Sequence, residues 1–195
     1  MPFFFVVLAV ACNRAPDEPT SRTGPDPLTT VSATTTNASS PSLARCVVPL
    51  ASAAPAVPSS AGDRCPHDPT GRLKLGRARV AFPDTGASVD AELARTMDEN
   101  ERGLMYRMTM PEDEGMLFYL DDYKAQTFWM RNTCIPLDML FIDDDGLIVG
   151  AVESAPVLDD GQRMVDCPSR YVLEVNAGWV RRHNVQPGQH VTVPK

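Results

Sequence analysis

Residues 101–145 constrain the fold more than any other part of the chain. They read ERGLMYRMTMPEDEGMLFYLDDYKAQTFWMRNTCIPLDMLFIDDD. Apolar and aromatic residues are packed around a few polar groups: Arg102, Arg107, Asn132, Thr133 and Asp138. The apolar runs are short and bounded by Gly, Pro, Asn and Asp, which reads as strands with little room for long helices.

Four groups of residues carry a resemblance to a known family. They are Arg102-Gly103-Leu104-Met105-x-Arg107, Gly115-Met116-Leu117-Phe118, Phe128-Trp129-Met130-x-Asn132-Thr133-x-Ile135-Pro136-Leu137-Asp138, and Tyr171-Val172-Leu173-Glu174-Val175-Asn176-Ala177-Gly178-Trp179. In this order they resemble the bacterial and archaeal family called domain of unknown function 192, over residues 77–193. The resemblance implies a compact β-rich fold. It supplies no catalytic residues, because the family has no agreed activity.

Composition divides the 195-residue chain. Residues 13–72 contain no Phe, Tyr or Trp, but ten Pro and sixteen Ser or Thr. Such a segment buries too little apolar surface to offset the entropy of ordering it, so a disordered linker is expected there. The β-rich domain is then expected over 73–195. That part holds the whole net charge of −7. An acidic domain lacks the basic face that a phosphate backbone requires, so no nucleic-acid partner is expected.

Residues 1–12, MPFFFVVLAVAC, are a separate object. The apolar run from 3 to 11 is too short to span about 30 Å of hydrocarbon, but suits the core of a secretion signal. It ends in Val10-Ala11-Cys12, which resembles the bacterial lipoprotein cleavage box and makes Cys12 the expected lipidated residue. No Lys or Arg precedes the run, and Ala9 stands where the box usually has Leu. Four cysteines remain: Cys46, Cys65, Cys134 and Cys167. An even number outside the cytoplasm suggests two disulfides. Of the three pairings, Cys46–Cys65 within the linker and Cys134–Cys167 within the domain are expected; free buried thiols are the alternative.

Patterning places strands at 77–82, 88–93, 115–120, 126–131, 137–143, 147–152, 170–175 and 189–193. In the second, Val89, Ala91 and Leu93 alternate with Ser88, Asp90 and Glu92. Thr96-Met97-Asp98-Glu99 is a capping box opening a short helix to about residue 107. Asp144-Asp145-Gly146 is a hairpin turn, and Asn176 is expected to cap a second short helix through residue 183. The sum is a mainly β (α+β) domain, a compact sandwich or barrel with two short helices.

Chemistry could sit at Asp138 and Glu174. Leu137-Asp138-Met139-Leu140-Phe141-Ile142 is apolar on both faces, as in a strand covered on both sides. Glu174 interrupts a similar strand. A buried carboxylate must be paired or protonated, and the candidate partners are Arg102, Arg107, Arg131 and Arg170. One reading is a cleft with catalytic candidates Asp138, Glu174 and Arg102. The other is an internal ion pair that orients a helix on the sheet. Asn132 and Thr133 either shape a turn before Pro136 or join Trp129, Arg102 and Arg107 around a small polar ligand.

Seven of the nine Met lie between Met97 and Met139. Thioethers suit Cu(I), but Met105, Met116 and Met130 fall within the apolar groups and read as core. No metal or cofactor is expected: His67, His183 and His190 are isolated, and the sequence has no phosphate loop, nucleophile elbow or zinc spacing. The leading expectation is an exported, lipid-anchored envelope protein, monomeric and non-enzymatic, that serves as a structural module or binds a small polar ligand or an envelope component. A hydrolase or transferase using Asp138 and Glu174 is the first alternative, and a copper-handling protein the second. A strongly raised carboxylate pKa in a pocket would favour the enzyme.

Overall fold

The computed structural model describes residues 45–195; the expected signal segment with Cys12, and residues 13–44 of the expected linker, lie outside the described residues. The domain is mainly β. Its strands are β1 (Arg77–Phe82), β2 (Ala87–Ala94), β3 (Glu114–Phe128), β4 (Leu137–Ile142), β5 (Ile148–Ala155) and β6 (Arg163–Asn176), with two short helices, α1 (Met97–Arg102) and α2 (Trp179–Arg182). They form one six-stranded mixed sheet in the order β1-β2-β3-β6-β4-β5. The sheet does not close, and its two faces are covered separately in the manner of a sandwich.

All neighbours are antiparallel except β2 and β3, which run parallel. Parallel strands cannot be joined by a tight turn and need a crossover. Residues 95–113 supply it, and α1 lies within it. The capping box forms as expected: the Glu99 N–H donates to Thr96 Oγ1, and the Thr96 N–H donates to Glu99 Oε2. Gly103 ends the helix at φ +45°, and a Cβ there would meet the Phe118 ring at 3.3 Å.

Every residue of β4 is buried, as its two-sided apolar pattern requires. One face of the sheet packs Leu140, Ile142, Leu173 and Val175 against Trp179, Val180 and Val191. The other packs Met116, Met139, Phe141 and Val172 against Leu104, Met130 and Ile135. The hairpin at Asp144-Asp145-Gly146 also forms. Gly146 takes φ +87°, and Asp143 Oδ1 accepts from the N–H groups of Asp145 and Leu147.

Several expectations are corrected. The strands expected at 115–120 and 126–131 are one long strand, β3. The residues between them are absorbed through a register shift between Tyr119 and Lys124, and the strand ends at Phe128. β6 starts well before residue 170 and contains Pro168. It tolerates the missing N–H because β4 pairs only with Tyr171–Asn176. The strand expected at 189–193 contributes only isolated bridges, Ala81 to Thr192 and Leu147 to His190. Asn176 does not cap α2; its Nδ2 donates to the carbonyls of Met110 and Pro111.

The disulfides also differ from the expected pairing. They join Cys46 to Cys167 and Cys65 to Cys134, with Cα–Cα distances of 5.6 and 5.5 Å. Each therefore ties residues 45–72 to the domain. This segment was expected to be a disordered linker, yet it is laid across the fold. The Val48 N–H donates to the Val149 carbonyl and the Ala61 N–H to the Cys134 carbonyl, and Leu50 packs against the core. Composition alone could not order it. Two covalent crosslinks remove the chain entropy that its sparse apolar surface could not offset. The pair of disulfides marks an oxidising, exported environment. No helix among the described residues is long and apolar enough to cross a membrane.

Candidate functional site

The crossover between β2 and β3 brings Arg102 and Arg107 over the sheet face that carries Glu174. Residues paired in register share a face. Glu92 on β2 is the partner of Met116 on β3, Met116 is the partner of Glu174 on β6, and Glu174 is the partner of Met139 on β4. The row Glu92, Met116, Glu174, Met139 therefore crosses one face. Asp138 is the partner of Val175 and points to the opposite face. The expected cleft with two converging carboxylates, Asp138 and Glu174, does not exist.

Glu92 claims the arginine. Arg107 Nη1 donates to Glu92 Oε1 at 2.8 Å and Nη2 to Oε2 at 2.6 Å, a bidentate fork between two buried side chains. Arg72 also pairs with Glu92, and Arg77 approaches it at 3.4 Å. Burial alone would raise the Glu92 pKa, but hydrogen bonds from Arg107 and Arg72 outweigh it and lower it to about 2. This pair is the structural ion pair of the fold: it fastens the crossover to β2. Glu92 was missed in the sequence because it sits on the polar side of an alternating strand.

Asp138 needs no arginine. Its Oδ1 accepts from the Ser154 N–H at 2.8 Å and its Oδ2 from the Val180 N–H at 3.0 Å. It thereby caps α2 from a neighbouring strand, where Gly178 offers no side chain. Burial pushes its carboxyl above the ordinary range, against the pull of the Ser154, Val180 and Gly178 N–H groups. The expectation that Asp138 or Glu174 contacts an arginine, Arg102 or Arg107 first, is overturned. Arg102 instead pairs with Asp68 of the 45–72 segment, a strap across the domain, and donates to the Gly71 carbonyl at 3.2 Å. Arg131 pairs with Asp160, and Arg170 bonds the Leu120 and Asp121 carbonyls.

Glu174 is left without an ion pair or hydrogen bond to its carboxyl among the described residues. It is 4% exposed. Burial pushes its pKa up to about 8, and the charge of Arg107 offsets only part of that. Burial therefore favours its protonated form, a carboxylic acid with an O–H to donate. It lies in the lining of a cavity of about 320 Å³ between the sheet and the crossover. The apolar walls include Leu104, Phe118, Phe128 and Trp129; Arg102, Thr133, Gln126 and Asn100 add polar groups.

The structure thus brings together Glu174, Arg102, Trp129 and Thr133, and places Arg107, Asn132 and Asp138 elsewhere. Thr133 is buried and donates to the Arg131 carbonyl. Trp129 is 42% exposed, with the Arg131 guanidinium 4.5 Å above its ring. Asn132 shapes the turn, as one of the two sequence readings had it. It takes φ +54°, accepts from the Tyr106 N–H at 2.7 Å and donates to Tyr106 Oη at 2.9 Å. It lines an adjoining recess with Trp129, Arg131 and Arg102. Asn100 and Gln126 were missed; nothing in their local sequence separates them from surface amides.

The methionine segment does not gather into one thioether cluster. Met116, Met130 and Met139 are wholly buried in the core, whereas Met97 and Met108 are exposed. Among the described residues, one group of acidic side chains lies close enough to hold a cation: Asp143, Asp144 and Asp145. Arg45 pairs with the first and third at 3.6 and 2.8 Å, and the turn N–H groups occupy Asp143 Oδ1. That arrangement is a braced turn.

A family model for domain of unknown function 192, described as Uncharacterized ACR, matches residues 80–193. The chain belongs to this family. No curated protein matches it. Among solved structures, it is similar to a proposed transcription regulator from Sinorhizobium meliloti 1021, with 38% identity and a TM-score of 0.58. That match covers 63% of this chain and 97% of the other. It is also similar to a protein of unknown function from Novosphingobium aromaticivorans DSM 12444, with 34% identity and a TM-score of 0.59, covering 73% of this chain and 94% of the other.

Proposed function

We propose that this protein is an exported, lipid-anchored module of the bacterial envelope that binds a small ligand in the Glu174 cavity. One observation carries the binding reading: a buried carboxyl with no partner among the described residues lines a cavity of about 320 Å³ with aromatic walls. Ligand sites are of this kind, largely apolar with a few placed polar groups. The apolar run ending at Cys12 supports the anchor, and the two disulfides support export. The description of the Sinorhizobium meliloti relative as a proposed transcription regulator is not carried over. The net charge of −7 opposes a phosphate backbone.

Two experiments test this reading. A fragment library screened by ligand-observed NMR should give hits that compete with one another and weaken in Trp129→Ala; a silent library contradicts the binding role. Expressed in a bacterium, the full chain should fractionate with membranes and Cys12→Ser should not. Equal fractionation of the two contradicts the anchor.

A second reading, an enzyme, is favoured by the mark expected of it from the sequence, a raised carboxylate pKa in a pocket. A general acid needs a carboxyl that titrates near the working pH, and Glu174 is pushed up to about 8. With Asp138 on the other face, an enzyme would rest on Glu174 alone. Turnover of an ester or glycoside panel that is lost in Glu174→Gln would establish it over the binding role.

A further inference from the structure

The geometry points to the class of ligand: we infer that the cavity takes an uncharged molecule with a flat apolar body and a head group that accepts a hydrogen bond from Glu174 and donates one in return, as a primary carboxamide does. This rests on the binding reading above and sharpens it.

The argument is one of unanswered groups. A charged ligand needs a counter-ion, because leaving a desolvated charge unpaired costs several kcal/mol. Of the cations near the cavity, Arg102 is held by Asp68 and the Gly71 carbonyl, with Tyr106 stacked 4.4 Å from its guanidinium. Arg107, which lies outside the cavity lining, is held in the Glu92 fork. Each is already paired with a carboxylate, Asp68 or Glu92, so an incoming carboxylate or phosphate meets no unpaired positive charge. On the anionic side, burial without a partner favours the acid form of Glu174, which offers an ammonium no charge. Glu101, the other acidic group of the lining, is exposed to water.

The neutral carboxyl is the group left open. The Glu174 carboxyl has no hydrogen-bond partner among the described residues. Asn100 lines the same cavity but offers it no polar atom: its Oδ1 is closed off from solvent and its Nδ2 is committed to the Tyr119 carbonyl. A ligand amide facing this carboxyl would accept from its O–H and donate to its C=O, supplying both of the partners it lacks within the described residues. The Phe118, Phe128 and Trp129 rings supply walls for a planar apolar body.

Three matched probes test this: benzamide, benzoate and benzylamine, each titrated at pH 6.5 into the oxidised protein and followed by amide NMR shifts. Benzamide should produce saturable shifts at Leu104, Phe118 and Phe128 and bind at least about ten-fold more tightly than the two ions, the factor expected for leaving one buried partner unpaired. Glu174→Gln keeps a donor and should retain benzamide within about three-fold; Glu174→Leu should lose it while keeping a native spectrum. Tighter binding of benzoate or benzylamine would overturn the inference and leave the binding role standing. If all three probes are silent, the inference is also overturned, and the fragment library then decides separately whether the cavity binds anything.

Discussion

Glu92 and Glu174 lie two strands apart in one row across the sheet, both in register with Met116, yet they sit at opposite ends of the carboxylate range. Neighbouring strands are about 4.8 Å apart, so their backbones are separated by roughly 10 Å. Arg107 lies near enough to influence both, but its fork is closed on Glu92. Glu92 is held at about 2 and Glu174 is pushed up to about 8. One arginine given to one of two buried carboxyls makes the first a structural anion and the second a neutral acid.

The Glu92–Arg107 pair should dominate the stability of the crossover. Removing one partner of a buried pair typically costs about 3–5 kcal/mol. Arg107→Ala should lose that much in urea denaturation. A loss below about 1 kcal/mol would mean that Arg72 and Arg77 satisfy Glu92 without it. The pH dependence follows from the lowered pKa. The stabilisation from Glu92 is present above about 4.5 and is lost as pH falls toward 2; it is on the order of 3 kcal/mol.

Glu174 should act with the opposite sign. A folded-state pKa raised from 4.5 to about 8 means that the native chain holds a proton that the unfolded chain releases. Stability is therefore lost as pH rises from about 4.5 to 8, by on the order of 4–5 kcal/mol. Glu174→Gln copies the neutral form and should be spared this loss. Denaturation of both proteins at pH 5 and pH 9 should show the variant gaining on the wild type at the higher pH; parallel behaviour would show that Glu174 is solvated or paired.

Peptide mapping without reductant should recover Cys46 linked to Cys167 and Cys65 linked to Cys134. The sequence separations of 121 and 69 correspond to about 4–5 kcal/mol each in the chain-entropy model. Cys65→Ala with Cys134→Ala should lower stability by several kcal/mol and make residues near Asp68 sensitive to protease. A protease-resistant strap in that variant would show that noncovalent contacts hold it.

Asp138 should prove structural. Asp138→Ala leaves the buried N–H groups of Ser154 and Val180 without acceptors, at about 1–3 kcal/mol each. Probe binding in the Glu174 cavity should be unchanged in any fraction that folds. A folded variant with native stability that no longer binds would place Asp138 back in the site.

What was legible in the sequence was local. The Thr96–Glu99 capping box, the Asp143–Gly146 turn and the two-sided burial of β4 each follow from residues within a few positions of one another. Burial of Asp138 and Glu174 was legible for the same reason, since each interrupts an apolar strand. Their placement on opposite faces was not, because it depends on the register of β4 against β6. The choice of Glu92 as the partner of Arg107 needs the parallel pairing of β2 and β3, and Glu92 looks solvated in its own strand. The disulfide pairing was not legible because composition separates a linker from a domain, whereas each bond joins residues 45–72 to the domain across that boundary.

The central claim is that Glu174 is an uncharged carboxylic acid in the cavity at neutral pH. The most direct test is an NMR titration of the carboxyl carbon of Glu174, assigned by its absence in Glu174→Gln. The account predicts a midpoint near 8, well above the ordinary value of 4.5. A midpoint at or below 4.5 would contradict it, and the class of ligand inferred from it would fall as well.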